Sequence, residues 1–260
     1  MPSAPLDAGL IGAGSPLAFV LHSWPWRESS LVVELFTATH GRVAAIAKGA
    51  RRPHSPVRGM LQPFLPLSLR LNGKSALKTL GKLEPQPPFY GLPPARLQAG
   101  FYLNELLLAL LPHHLVDTAV FAAYCVCLAQ LRHGHSETAA LRCFEKRLLQ
   151  ASGSAPRFDQ AESGPVEAEV CYQLSDGQGW VAVADDDDEG EGLRFSGASL
   201  LAIAQERFDG EGPAGAKTDR AAIKRVLQHL LARLDPLVGS RSRQVSRELA
   251  VLAGRLPVLP

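Results

Sequence analysis

The sequence predicts an α+β multidomain chain: an N-terminal five-stranded barrel of the oligonucleotide/oligosaccharide-binding (OB) type, then an α-helical domain with a small irregular hairpin insertion. Three observations predict this. Between residues 17 and 84, apolar and polar residues alternate at period two, punctuated by Gly, Asn and Pro, the signature of short antiparallel strands. The proline cluster "EPQPPFYGLPP" (84–94) then stops the pattern, because proline has no N–H to give to a central ladder. Beyond it, apolar positions recur at helical spacing.

The elements follow in order. "LAFVLHS" is the first strand, "SLVVELFTA" the second, and "GRVAAIAKG" the third, reached across the turn-forming "THG". "PFLPLSLRLNG" is the fourth, with Leu65, Leu67, Leu69 and Leu71 on one face and Phe64, Ser68 and Arg70 on the other. "ALKTLGKLE" closes the set. Five short strands suit a Greek-key OB barrel, and the same number fits an SH3-like barrel. Leu97, Phe101, Leu107, Leu108 and Leu111 then mark a first long helix ending at Pro112. "VDTAVFAAYCVCLAQLRHG" is a second, capped by Asp117 or Thr118 and stopped at Gly134. "SETAALRCFEKRLLQASG" is a third, opened by Ser136 and ended by Gly153. Residues 154–195 lose this period; "VCYQLSDGQGWVAV" reads as a hairpin, followed by the acidic run "DDDDEGEG". "SGASLLAIAQERF", "TDRAAIKRVLQHLLARLDPLVG" and "SRQVSRELAVLAG" return to helical spacing. The expected organisation is a flexible tail over 1–16, the barrel over 17–84, a Pro-rich linker over 85–94, and the helical domain over 95–260.

A net charge of +2 conceals strong segregation. Residues 1–90 hold ten Lys/Arg against four Asp/Glu, residues 91–150 five against four, residues 151–192 one against eleven, and residues 193–260 eleven against six. Such asymmetry suggests a basic N-terminal module and a basic C-terminal segment separated by an acidic one, and it bears on partners and solubility rather than on fold. The opening residues lack the basic and apolar regions of a secretory signal. The longest apolar run, "FYLNELLLALLP", is broken by Asn104 and Glu105 and is too short to span a bilayer. A cytoplasmic protein with reduced thiols, and no membrane association, is expected.

Catalytic motifs are missing: there is no G-x-S-x-G, Walker A, H-E-x-x-H or dinucleotide fingerprint, so neither an enzyme nor a bound cofactor is expected. Metal binding is weak for geometric reasons. Cys125 and Cys127 are two apart on a helix and point in nearly opposite directions. His113, His114, His133 and His135 lack the paired spacing of structural zinc sites. Asp185 to Asp188 lack the Gly and distal Glu of a calcium loop.

The informative stretch is "IAKGARRPHSPVRG" (46–59), which carries Lys48, Arg51, Arg52 and Arg58 and no acid. Arg27, Arg42, Lys74 and Lys78 lie in the same module, with Lys82 nearby. On an OB barrel, strands and loops meet in a groove that tracks a phosphate backbone, and each cation that neutralises a phosphate releases counterions. Charge alone leaves a plain solvated face equally open. Trp24, Trp26 and Phe64 offer either stacking faces or core packing.

The segments "AFVLHSWPWRESSLVVELFTATHGRV", "AKGARRPHSPVRGMLQPFLPLSLRLNG" and "LKTL", in that order, resemble the N-terminal domain of the bacterial recombination mediator family RecO. "GFYLNELL" and "ALRCFEKRLLQASG" resemble its helical domain, and "SRELAVL" its C-terminal segment. The resemblance implies a non-enzymatic DNA repair and recombination mediator. Such a protein binds single- and double-stranded DNA and anneals complementary strands. With RecR, it helps load RecA onto DNA coated by single-strand-binding protein (SSB). It implies a nucleoid-associated location, DNA contacts at Lys48, Arg51, Arg52 and Arg58, and capture of the SSB C-terminal tail at Arg142. A guanidinium suits that last role because it can pair bidentately with a terminal carboxylate. Many members of the family carry a four-cysteine zinc site after the third helix. This chain has only Cys171 there, so no zinc is expected. A protein-interaction scaffold, whose barrel docks a protein rather than DNA, is the alternative.

Overall fold

A computed structural model describes residues 17–87, 91–175, 179–184, 193–208 and 219–235. Among them, residues up to 91 together with 111–121 form one compact unit, and 92–110 with the remainder form a second.

The first unit is built on the five-stranded barrel. Strands β1 (Leu17–Trp26), β2 (Ser30–Thr37), β3 (Gly41–Ala47), β4 (Leu67–Asn72) and β5 (Lys78–Pro85) close in the order β1-β2-β3-β5-β4. All pairings are antiparallel except β3 with β5, which run parallel at Ala45↔Lys78 and Ile46↔Thr79. That crossover is the Greek-key wiring of an OB barrel. Period two decides what is inside: Ala18, Val20, Val33, Leu35, Val43, Ala45 and Ala47 fill the barrel with Leu67, Leu69, Leu80 and Leu83.

Closure is uneven. β1 meets β4 only at Leu17↔Ser68 and Ala18↔Leu67, whereas it pairs with β2 as far as Trp26↔Ser30. The end of the β1–β2 hairpin therefore projects past the point of closure. The fourth strand starts at Leu67, later than its alternation suggests, because Pro63 and Pro66 have no N–H for the ladder. Phe64 sits in the turn before it at φ 67° and is buried, so its ring belongs to the core and is not a stacking face.

The basic stretch after β3 is not an open loop. It contains a short helix α1 (Pro56–Met60), with proline at its start where a missing N–H costs nothing. Ala50 and Leu61 are buried in the barrel core, and Val57 and Met60 pack against it. The segment plugs one end of the barrel and holds its cations outward.

Residues 111–121, which the helical period assigns to the second domain, lie on the outer face of β1–β3. Arg42 and His113 form a bridge, and His114 N–H donates to the Arg42 carbonyl at 2.9 Å. Phe121 meets Phe36 and Phe19 with ring centroids 5.0 and 5.9 Å apart. Gly41, at φ 63°, allows the approach: a Cβ there would stand 2.0 Å from the Leu115 carbonyl oxygen.

The second unit contains α2 (Leu97–Leu110), most of α3 (Thr118–Arg132), α4 (Glu137–Ala151), α5 (Gly197–Ala204) and α6 (Arg220–Leu234). Asp117 and Ser136 cap as the sequence reading expects, and Asp219 adds a third cap. Asp117 accepts from Val120 N–H, Ser136 from Ala139 N–H, and Asp219 from Ala221 and Ala222 N–H. Between α4 and α5 a small sheet forms in the order β10-β8-β9, from β8 (Cys171–Leu174), β9 (Trp180–Val183) and β10 (Arg194–Ser196), beside a two-stranded ribbon of β6 (Gln160–Ala161) and β7 (Gly164–Pro165). Its core is aromatic: Trp180 is fully buried, edge-on to Phe195 at 5.9 Å and 6.2 Å from Phe158. Burying each such ring stabilises the module by roughly 1.5–3 kcal/mol. The tail 1–16, the centre of the "SDGQG" turn, the "DDDDEGEG" run and the expected last helix lie outside the described residues.

Candidate nucleic-acid interface

Three features of the first unit meet at one groove. The β1–β2 turn brings Arg27 and Glu28, the segment after β3 brings Lys48, Gly49 and Arg52, and the β4–β5 turn brings Leu77. The β1–β2 and β4–β5 loops and the β2–β3 face are those an OB barrel uses for oligonucleotides. Trp26 and Ile46 contribute apolar surface to the same groove.

Arg51 fastens the groove together. Its backbone N–H donates to the Ser29 carbonyl at 2.9 Å, and its Nη1 donates to the Arg27 carbonyl at 3.0 Å. The basic segment is thereby tied to the β1–β2 turn, where Arg27 holds a left-handed φ of 51°. Within the segment, Arg52 N–H donates to Gly49, Ser55 N–H to Arg52, and Arg58 N–H to Ser55. A phosphate arriving here meets cations on a backbone already ordered, so less entropy is lost on binding.

The sequence-derived set divides accordingly. Arg27, Lys48 and Arg52 line the groove and Arg51 adjoins it. Arg58 is exposed on α1, away from the lining. Lys74 is exposed on the β4–β5 turn, and Lys78 turns its ammonium to the Gly73 carbonyl at 3.2 Å. Lys82 is ion-paired with Glu84.

Arg42 belongs elsewhere. Its side chain is 13% exposed, and its guanidinium lies 3.7 Å from Glu34 and approaches His113 Nδ1 at 3.1 Å, within the seam between β2, β3 and residues 111–115. Burial lowers its pKa, and Glu34 opposes that shift. There it is the counter-ion of the buried Glu34 carboxylate, outside the groove lining.

Arg142 also differs from a surface arginine. Its side chain on α4 is 5% exposed and pairs with Glu145 at 2.8 Å, while Tyr102 donates its hydroxyl to Glu145 at 2.7 Å. Burial raises the Glu145 pKa, although Arg142 and Tyr102 pull it down. Among the described residues, Arg142 Nε and Nη1 and Glu145 Oε2 have no hydrogen-bond partner.

Two groove residues escape sequence reading. Glu28 sets an acid among the cations, and Leu77 is an exposed apolar residue that only the turn geometry brings there. Among the described residues, no group of three or more His, Cys, Asp or Glu is placed to hold a metal ion, and no helix is long and apolar enough to cross a membrane. Burial pushes the Cys125 thiol up to about 12, which leaves it a poor nucleophile and ligand.

Comparison with known proteins agrees with this architecture. Residues 17–89 match the family model for the recombination protein O N terminal domain, and residues 94–241 that for its C terminal domain. The chain is 38% identical over 239 residues to the DNA repair protein RecO of Cupriavidus pinatubonensis, covering 90% of this chain and 79% of that protein. It is 37% identical to the DNA repair protein RecO of Laribacter hongkongensis, covering 91% and 95%. To that of Actinobacillus pleuropneumoniae serotype 3 it is 36% identical, covering 89% and 92%.

Proposed function

The chain belongs to the RecO family of DNA repair proteins, and on that premise we propose that it is a non-enzymatic mediator that binds single- and double-stranded DNA through the groove of its barrel. It anneals complementary strands and, with RecR, promotes RecA loading on SSB-coated DNA at the nucleoid. The observation that carries the reading is the convergence of Arg27, Lys48 and Arg52 on one groove of an OB barrel, tied in place by Arg51. Phosphate contact sets affinity there and little sequence is read, as annealing of any sequence requires.

Binding of labelled single-stranded DNA across a salt series tests it. Affinity should fall steeply with salt, and replacing Lys48, Arg51, Arg52 and Arg58 by Ala should lower the slope by roughly 0.7 for each cation that contacts a phosphate. Binding that ignores salt, or survives the fourfold replacement, sinks this groove. A pure protein-docking scaffold is distinguished by annealing: it should not accelerate strand pairing beyond a polycation control.

For the helical unit, we propose that Arg142 takes the carboxylate of the SSB C-terminal tail, a reading supported by two guanidinium nitrogens that have no hydrogen-bond partner among the described residues. Its burial and its pairing with Glu145 favour a second reading, an internal counter-ion. Titration of an SSB-tail peptide against wild type and Arg142→Ala separates the two, since equal affinities remove Arg142 from the tail site.

A further inference from the structure

His22, Trp24 and Trp26 occupy every second position at the projecting end of β1, after the irregularity between Val20 and His22. Period two therefore places all three on the outer face of the sheet. The His22 and Trp24 rings stack with centroids 5.8 Å apart and planes at 28°. Across the strands, Trp24 stands opposite Val32 and Val32 opposite Ile46, while Trp26 stands opposite Ser30. The same face is covered nearer the closure point, where Phe121 seals Phe19 and Phe36. At the projecting end Trp24 and Trp26 are 37% and 38% exposed, and Leu77 beside the groove is 37% exposed. Trp180, the third tryptophan, is wholly buried.

Charge decides what this apolar patch suits. Arg27 lies 6.0 Å from the Trp26 ring centroid, and Lys48 and Arg52 line the groove that Trp26 opens into. Aromatic faces rimmed by cations fit a ligand that carries flat apolar rings on an anionic backbone. An apolar protein segment would gain nothing from the rim, and a duplex would gain nothing from the rings, because its bases already stack on one another. Rings two residues apart on a strand are spaced about 6.8 Å, so successive nucleotides of an extended strand can each meet one.

We propose that Trp24 and Trp26 form a stacking platform for unpaired bases, and that this platform makes the groove bind single strands more tightly than duplex DNA. The proposal rests on the DNA-binding reading above, and its test separates the two.

The full chain is titrated with an oligothymidine and with a duplex of equal length while tryptophan emission and an independent binding signal are followed. Because Trp180 is buried, quenching reports on Trp24 and Trp26. Oligothymidine should quench the emission and duplex should not. Ala at either tryptophan should weaken oligothymidine binding by about five- to 150-fold. Duplex affinity and the salt slope should stay unchanged, and Phe at either position should restore most of the loss. Oligothymidine binding without quenching overturns the platform while leaving DNA binding intact. So does an equal loss for both nucleic acids. Alanine variants that bind both normally overturn it in favour of a protein partner on this face. Failure of the wild type to bind any nucleic acid overturns both readings together.

Discussion

Lys48 and Arg42 begin as equals in the sequence, two cations of one basic module, and end in unlike roles. Lys48 follows β3 at the projecting end of the hairpin and stays exposed at the groove. Arg42 lies at the other end of the same strand, where residues 111–115 cover the sheet and Glu34 needs a counter-ion. Arg142 shows the same logic in the helical unit. A buried Glu145 lowers the worth of any change that removes its partner, because an uncompensated buried charge is left behind. Burial holds the Glu145 pKa above the usual carboxylate value, so the folded state keeps its proton longer than the unfolded chain, and this group's contribution to stability falls as pH rises through that window. Removing Arg142 takes away the charge that opposes this shift. Arg142→Ala should therefore cost little in acid and about 3–5 kcal/mol at neutral pH, with Glu145→Gln in the same chain recovering most of it. Denaturant unfolding at two pH values measures this. A loss independent of pH would remove the ion pair as its cause.

At the scale of elements, one strand does two things because its two ends have different neighbours. The start of β1 closes the barrel on β4, and its end carries the aromatic row past the closure. The segment after β3 likewise faces both the core and the groove. Ala50 and Leu61 are sunk in the core, while Lys48 and Arg52 face the groove. Its prolines fit this: Pro56 starts α1, and Pro53 restricts the chain between the two anchors. Residues 111–121 complete the barrel unit by covering Phe19 and Phe36, and Gly41 is where backbone meets backbone. Gly41→Ala should cost about 1–3 kcal/mol for the left-handed backbone alone. The clash with the Leu115 carbonyl adds to that. The denaturant midpoint should drop with little change in slope. A midpoint equal to wild type would show that residues 111–115 do not press on the strand.

Over the whole molecule, the charge segregation has a measurable consequence. The stretch 151–192 carries one base against eleven acids, and fixed negative charge opposes the approach of a polyanion within the screening length. Replacing Asp185, Asp186, Asp187 and Asp188, which lie outside the described residues, by Asn should strengthen DNA binding at low salt. The gain should vanish near 1 M, where the screening length falls to about 3 Å. An unchanged low-salt affinity would show that the run stays clear of the DNA. By itself the sequence determined the five strands, the caps at Asp117 and Ser136, the helices they open, and the basic stretch, since each is a local pattern of period, cap chemistry or charge. The tertiary structure alone decided which cations share a groove, that Phe64 is core while Trp24 and Trp26 are surface, and that residues 111–121 belong with the barrel. Those outcomes depend on which faces remain uncovered after the sheet closes, and on contacts between residues as far apart as Glu34 and His113, which no local period encodes.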